Sequence, residues 1–263
     1  MSTILQISDP HFGTEVPEVV RALRQLGEQL KPELVVLSGD ITQRARRQQF
    51  AAARVFMSGF DASRLVLPGN HDIPLFNLWG RLVQPYAGHR AAFGDALEPT
   101  FHSRELLVLG VNTTRPYRHK NGEVSAAQIE RVVQRLARAT AQQLRVVVVH
   151  QPIEVMRERD THDRLIGHAA AQTAWAAAGA DVVMGGHIHL PYVMPLPGLA
   201  RPMWAVQAGT AVSKRVRPGA PNSVNLVRWQ PAEHSCAVEQ WDFSTTDQAF
   251  VQVRVTRFAP SRD

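Results

Sequence analysis

Ile4-Leu5-Gln6-Ile7-Ser8-Asp9-Pro10-His11 is an apolar run that ends abruptly in an aspartate and a histidine. Leu34-Val35-Val36-Leu37-Ser38-Gly39-Asp40 repeats the pattern, and Leu65-Val66-Leu67-Pro68-Gly69-Asn70-His71-Asp72 repeats it again. Two later runs, residues 146–149 and 182–184, lead into His150 and into Gly185-Gly186-His187-Ile188-His189. Each run is short, β-branched or Leu-rich, and stops where polar residues begin, as a buried parallel strand does. In open α/β sheets ligands gather at the carboxyl ends of strands. Strand ends therefore deliver Asp9, His11, Asp40, Asn70, His150, His187 and His189 to one place.

Between the strands, residues 17–30 place Val19, Val20, Leu23, Leu26 and Leu30 at helical spacing, and residues 46–60 do the same with Phe50, Phe56 and Met57. Both read as crossover helices. Residues 74–100 are less regular and follow directly on His71 and Asp72, so a lid or side wall is expected there. Residues 106–111 read as a strand. Ser125-Ala126-Ala127-Gln128 is a capping box expected to open a helix running to about Ala141. Residues 154–168, rich in Arg, Asp and His, read as a loop near the metal edge. Residues 169–179 read as a helix ended by Gly179. From Pro191 onward the pattern becomes β, with antiparallel strands expected at 203–208, 224–229, 237–243 and 251–258. The expected fold is α/β, two sheets face to face with helices outside, in a single domain over residues 1–263.

Composition fits an ordinary globular chain: 263 residues, 44% hydrophobic and 20% charged. With one cysteine, Cys236, no intrachain disulfide can form. No signal-peptide pattern precedes the first run and no apolar stretch reaches membrane-spanning length, so a cytoplasmic protein is expected. The net charge is +6, and all but three of the 29 basic residues are arginine. That balance suits steering of an anionic substrate better than binding of a duplex.

Carboxylate, amide and imidazole ligands without thiolate suit Mn, Fe or Zn. Asp9 and His11, and again His187 and His189, stand two apart, and on an extended segment such residues share a face. Asp40 has two oxygens and can bridge two ions. His71 is free of that duty. It is expected to act on the substrate phosphoryl group, with Asp72 holding its ring.

Taken in order, D-x-H, G-D, G-N-H-[DE], H and G-H-x-H resemble the pattern of the calcineurin-like metallophosphoesterase superfamily from Asp9 to His189. The resemblance implies a four-layer αββα sandwich of two mixed β-sheets flanked by helices, and a dinuclear centre. By position, Asp9, His11 and His189 would hold one metal, Asn70, His150 and His187 the other, with Asp40 bridging and His71 as the catalytic histidine. Residues 67–74 are most similar to the bacterial class III cyclic-nucleotide phosphodiesterases. Pro10 and Gln151 depart from the usual pattern without removing a ligand, and Gln151 bears on substrate identity. The implied function is hydrolysis of a small phosphodiester, a 3′,5′-cyclic nucleotide, by a hydroxide bridging two metal ions. A nuclease of the same superfamily and a lipid-linked nucleotide-sugar pyrophosphatase are the alternatives. The oligomeric state is left open, a homodimer included.

Overall fold

β1 (Ser2–Ile7), β2 (Leu34–Ser38) and β3 (Ser63–Leu67) lie parallel with their carboxyl ends together. The crossovers are α1 (Pro17–Leu30) and α2 (Arg47–Ser58). The structure, a computed structural model, describes residues 1–261. On its other side β1 pairs antiparallel with β10 (Ser223–Gln230). That strand continues through β11 (Ser235–Ser244) and β12 (Ala249–Phe258) as an antiparallel meander. The first sheet thus has the order β12-β11-β10-β1-β2-β3.

The second sheet runs β4-β5-β6-β7-β9-β8. Its strands are β4 (Thr100–His102), β5 (Leu106–Gly110), β6 (Leu144–Val148), β7 (Val182–Gly185), β8 (Tyr192–Pro195) and β9 (Trp204–Gln207). β5, β6, β7 and β9 are parallel. The sequence pattern predicts an antiparallel strand at 203–208, and here the structure differs. β8 takes the edge, and β9 slips between it and β7, parallel to β7. Met203, Ala205 and Val206 are buried, as an inner parallel strand requires. β4 and β8 carry no clear pattern of their own and were not expected.

Alternation along the strands builds the layers. Ile4, Leu34, Val36, Leu65 and Leu67 of the first sheet meet Val108, Val146, Val148 and Met184 of the second in one buried cluster. Leu5, Ile7, Val35 and Leu37 point the other way, onto Val19, Leu23, Leu26, Phe56 and Met57 of α1 and α2. Leu107, Leu109, Val147 and Val183 likewise pack on Val132 and Leu136 of α5 (Ala126–Leu136) and on Trp175 of α6 (His168–Ala177). Helix, sheet, sheet, helix is the expected αββα sandwich of two mixed sheets. α5 stops five residues early because the Gln143 side chain accepts the Thr140 N–H at 2.9 Å and turns the chain into β6. Residues 74–100 hold two short helices, α3 (Leu78–Val83) and α4 (Ala87–Phe93). No helix among the described residues is long and apolar enough to cross a membrane.

Candidate metal centre

The turns leaving β1, β2 and β7 share an unusual backbone. Asp9, His11, Asp40, His187 and His189 all have positive φ, between 41° and 74°. For a residue with a β-carbon this conformation costs about 1–2 kcal/mol, and such strain collects at functional sites. Asp9 and His11 therefore reach one place through a left-handed turn, not through the extended segment that their spacing suggested. Neighbouring turns hold each other in this state. The Asp9 N–H donates to the Gly39 carbonyl and the His11 N–H to the Asp40 carbonyl, both at 3.1 Å. The His187 N–H donates to Asp9 Oδ2 at 2.9 Å. A β-carbon at Gly69 would fall on the Asp40 backbone, and one at Gly186 on the Ser8 hydroxyl, so both positions need glycine for this close approach.

The side chains converge in two groups that share Asp40. Asp9, His11, Asp40 and His189 form one, and Asp40, His150 and His187 the other, with the ligand atoms of each group within 4.8 Å of one another. His11 Nε2 is 3.1 Å from His189 Nε2 and 3.7 Å from Asp40 Oδ2. His150 Nε2 lies 3.2 Å from Asp40 Oδ1 and 3.2 Å from Asn70 Oδ1, which brings Asn70 to the second group. Backbone carbonyls orient the rings. Ser38 accepts from His150 Nδ1 at 2.8 Å and Arg215 from His189 Nδ1 at 2.6 Å, leaving each Nε2 lone pair aimed inward.

These residues fit a pair of cations. Neither ring nitrogen of the buried His187 makes a hydrogen bond among the described residues, the Asp163 carboxylate standing off at 3.7 Å from Nε2, a costly state for polar atoms unless something else binds them. The charges agree. Burial alone would raise Asp9, but His189 holds its carboxyl down to about 2. Burial resists charge on His150, yet Asp40 overrides it and pushes the ring up to about 9. Burial drives His11 down to about 3. A charged Asp9 and a neutral His11 are the forms that ligate a cation, and the proton drawn onto His150 is one that a cation would displace. The donor set of oxygens and imidazoles leaves the identity of the metals open.

His71 sits beside the first group, with Nε2 4.0 Å from Asp40 Oδ2 and its ring 4.8 Å from that of His11. Asp72 does not hold that ring, contrary to expectation. Its carboxylate accepts the N–H groups of Ile41 at 3.0 Å, Thr42 at 2.8 Å and Gly69 at 2.8 Å, and the Thr42 hydroxyl at 2.9 Å. Burial, and then the Asp40 charge, push its carboxyl up to about 6, with those backbone donors pulling the other way. Asp72 therefore braces the turns after β2 and β3. The His71 ring is held instead by the Gln43 carbonyl, 3.0 Å from Nδ1.

A cleft of about 450 Å³ opens over the site. Its lining includes His119, Lys120, Asp160, Asp163, Arg215 and Arg217 besides the residues already placed. The Arg217 guanidinium pairs with Asp160 at 2.7 Å, and the Lys120 ammonium with Asp163 at 2.6 Å. The segment 154–168 thus does approach the metal edge, as a 3-10 turn over Glu158–Asp163. Gln151 is buried, accepts from the Thr113 hydroxyl at 2.6 Å and is absent from the cleft lining. Sequence reasoning missed Gln6, Gln207 and Asn225. The Gln6 amide donates to the Gly185 carbonyl at 2.9 Å, and the Asn225 amide to Gln6 Oε1 at 3.0 Å and to the Gln207 carbonyl at 3.1 Å. This buried ladder ties the two sheets beneath the Gly185-Gly186 turn. Lone glutamines inside strands give no sequence signal of it.

The fold recurs in solved structures. A dimetal phosphatase from Danio rerio superposes with a TM-score of 0.70 at 13% identity, covering 99% of each chain. The purple acid phosphatase PPD1 of yellow lupin (Lupinus luteus) gives 0.71 at 10% identity, over 98% of this chain and 53% of the lupin chain, so this chain spans about half of that protein. Vps29 of Chaetomium thermophilum gives 0.53 at 11% identity over 99% of this chain and 98% of its own. No curated protein matches. Residues 2–191 match the family described as calcineurin-like phosphoesterase, which takes in every strand end that carries a candidate ligand, and the chain belongs to that family.

Proposed function

We propose that this phosphoesterase hydrolyses a small phosphodiester, with a 3′,5′-cyclic nucleotide as the substrate that fits best. The observation that carries the reading is the size and lining of the cleft. At about 450 Å³, it falls within the range of small-molecule sites, roughly 300–1,000 Å³. Two ion pairs, Arg217–Asp160 and Lys120–Asp163, stand in its lining. A bound pair of cations supplies charge stabilisation at the phosphoryl oxygens and a water of lowered pKa.

The chain's own residues do the rest. In this reading Asp9, His11 and His189 hold one cation, Asn70, His150 and His187 the other, and Asp40 faces both. His71 keeps Nδ1 on the Gln43 carbonyl, so Nε2 faces the cleft and its proton, when present, is aimed at the departing oxygen. The chain acts as one domain, and 74–100 back the wall of the cleft from behind, contributing no residue to its lining. Support for that wall is Arg81 of α3, whose guanidinium donates to the carbonyls of Pro116 at 2.6 Å and Arg118 at 2.7 Å, next to His119 and Lys120 of the cleft.

The test is a substrate panel on metal-reconstituted protein: cyclic AMP, cyclic GMP, 2′,3′-cyclic nucleotides, a nucleoside diphosphate-sugar lipid and single-stranded DNA. Turnover of 3′,5′-cyclic nucleotides above the rest is expected. Cleavage of the DNA or the lipid substrate with cyclic nucleotides untouched would overturn the reading.

A further inference from the structure

Three long cationic side chains line the cleft, and they differ in one respect. Lys120 and Arg217 each meet a carboxylate, whereas Arg215 meets none among the described residues. Its Nη1 alone faces Gln43 Oε1 at 3.0 Å, His71 Nε2 at 3.2 Å and His11 Nδ1 at 3.3 Å. One amino group with two protons is thus spread over three neighbours. Nε and Nη2 make no hydrogen bond among the described residues.

We propose that Arg215 is a catalytic residue whose guanidinium grips the non-bridging oxygens of the substrate phosphoryl group, exchanging its contact with His71 for one with the anion. The proposal rests on the phosphoesterase reading of the site above. Arginine suits the task because its planar fork matches two phosphoryl oxygens at once, which an ammonium cannot do.

The arm is already held in place. The Arg215 carbonyl accepts from His189 Nδ1 at 2.6 Å and from the Thr210 hydroxyl at 3.1 Å, and its N–H donates to the Ser213 hydroxyl at 3.2 Å. The neighbouring Lys214 N–H donates to the Thr14 carbonyl at 3.0 Å, and the Asn222 amide to the Ser213 carbonyl at 2.8 Å. One residue therefore orients a ligand histidine through its backbone and reaches the opposite wall, His11 and His71, through its side chain. With the backbone fixed before the substrate arrives, only the side chain has to turn from His71 to the anion. The exchange has a second effect. With His71 Nδ1 held by Gln43, Nε2 is the lone-pair nitrogen that Arg215 occupies in the free protein. Departure of the guanidinium to the phosphoryl oxygens returns that nitrogen to the cleft.

The experiment uses the full chain, metal-loaded, as wild type, Arg215→Ala and Arg215→Lys. It measures metal content by elemental analysis, the Kd of inorganic phosphate by calorimetry, and kcat and KM on bis(4-nitrophenyl) phosphate. Arg215→Ala is expected to keep its metals, to bind phosphate about 10- to 100-fold more weakly and to lose kcat by a similar factor, with Arg215→Lys recovering part of each. Phosphate affinity unchanged in Arg215→Ala would overturn the proposal. So would loss of metal in both variants, which would make Arg215 a support for the histidines only. If the wild type hydrolysed no diester yet bound phosphate in an Arg215-dependent way, the substrate reading would fall and the anion grip would stand.

Discussion

Asp40 lies within 4 Å of His11, His71 and His150, and its Oδ1 also accepts the His71 N–H at 2.8 Å. Its charge outweighs the burial of His150 in the second ligand group, whereas in the first group burial outweighs it at His11. Asp40→Asn keeps the shape and removes the charge. Elemental analysis of the reconstituted variant should find at most one ion per chain where two are expected in the wild type, and full occupancy would overturn the proposal that Asp40 serves both ions. His71 stands apart from that duty. His71→Ala should lower turnover by about 10²- to 10⁴-fold, the usual worth of a positioned acid or base, with metal content unchanged. An emptied site would make His71 a ligand or its prop. At this scale the seven ligand candidates were legible because metal chemistry restricts residue type and order. The partner of the His71 ring was not, because Gln43 contributes only its backbone carbonyl, which any residue possesses.

At the scale of the element, periodicity located α1, α2 and the strands that carry the ligands, since one face of each must be apolar to pack. It gave nothing for β4 and β8, the two edge strands of their sheet, whose residues are mostly left partly exposed. It missed the parallel placement of β9 because direction depends on which neighbour claims the strand. α4 supplies a pH-dependent consequence. His89 is buried there beside Phe93, and neither ring nitrogen has a hydrogen-bond partner among the described residues. Burial, and then the adjacent Arg90 charge, push its ring from 6.5 down to about 4. The unfolded chain therefore takes up a proton first as pH falls. The His89 contribution to stability is whole above pH 6.5 and declines on descent toward about 4, by roughly 3 kcal/mol over the full span. His89→Leu should flatten the urea-midpoint profile across that window. A profile as steep as that of the wild type would place the acid sensitivity elsewhere.

For the whole molecule, metal and fold are expected to stabilise each other. The ligands come from turns in both sheets, and burial works against the charges gathered there. Cations that bind only the folded chain add about 2.7 kcal/mol when present at 100 times their Kd. For a chain of this length that corresponds to about 5 °C or more in Tm. Chelator-treated wild type should melt lower than the reconstituted protein by that amount, whereas Asp40→Asn should respond weakly. Equal melting temperatures with and without metal would mean that the turns are rigid on their own.

β1, which ends beside Asp9, lies in the middle of its sheet, flanked on one side by β10 of residues 223–230. As the ribosome releases the chain, the first ligands emerge more than 200 residues before the strand that covers their flank, which follows all seven ligand candidates. Until then β1 exposes an open row of amides and carbonyls to any passing nascent chain. A fragment cut after residue 191 would carry all seven ligand candidates and keep that sticky edge for good, so expression trials should retain the C-terminal meander.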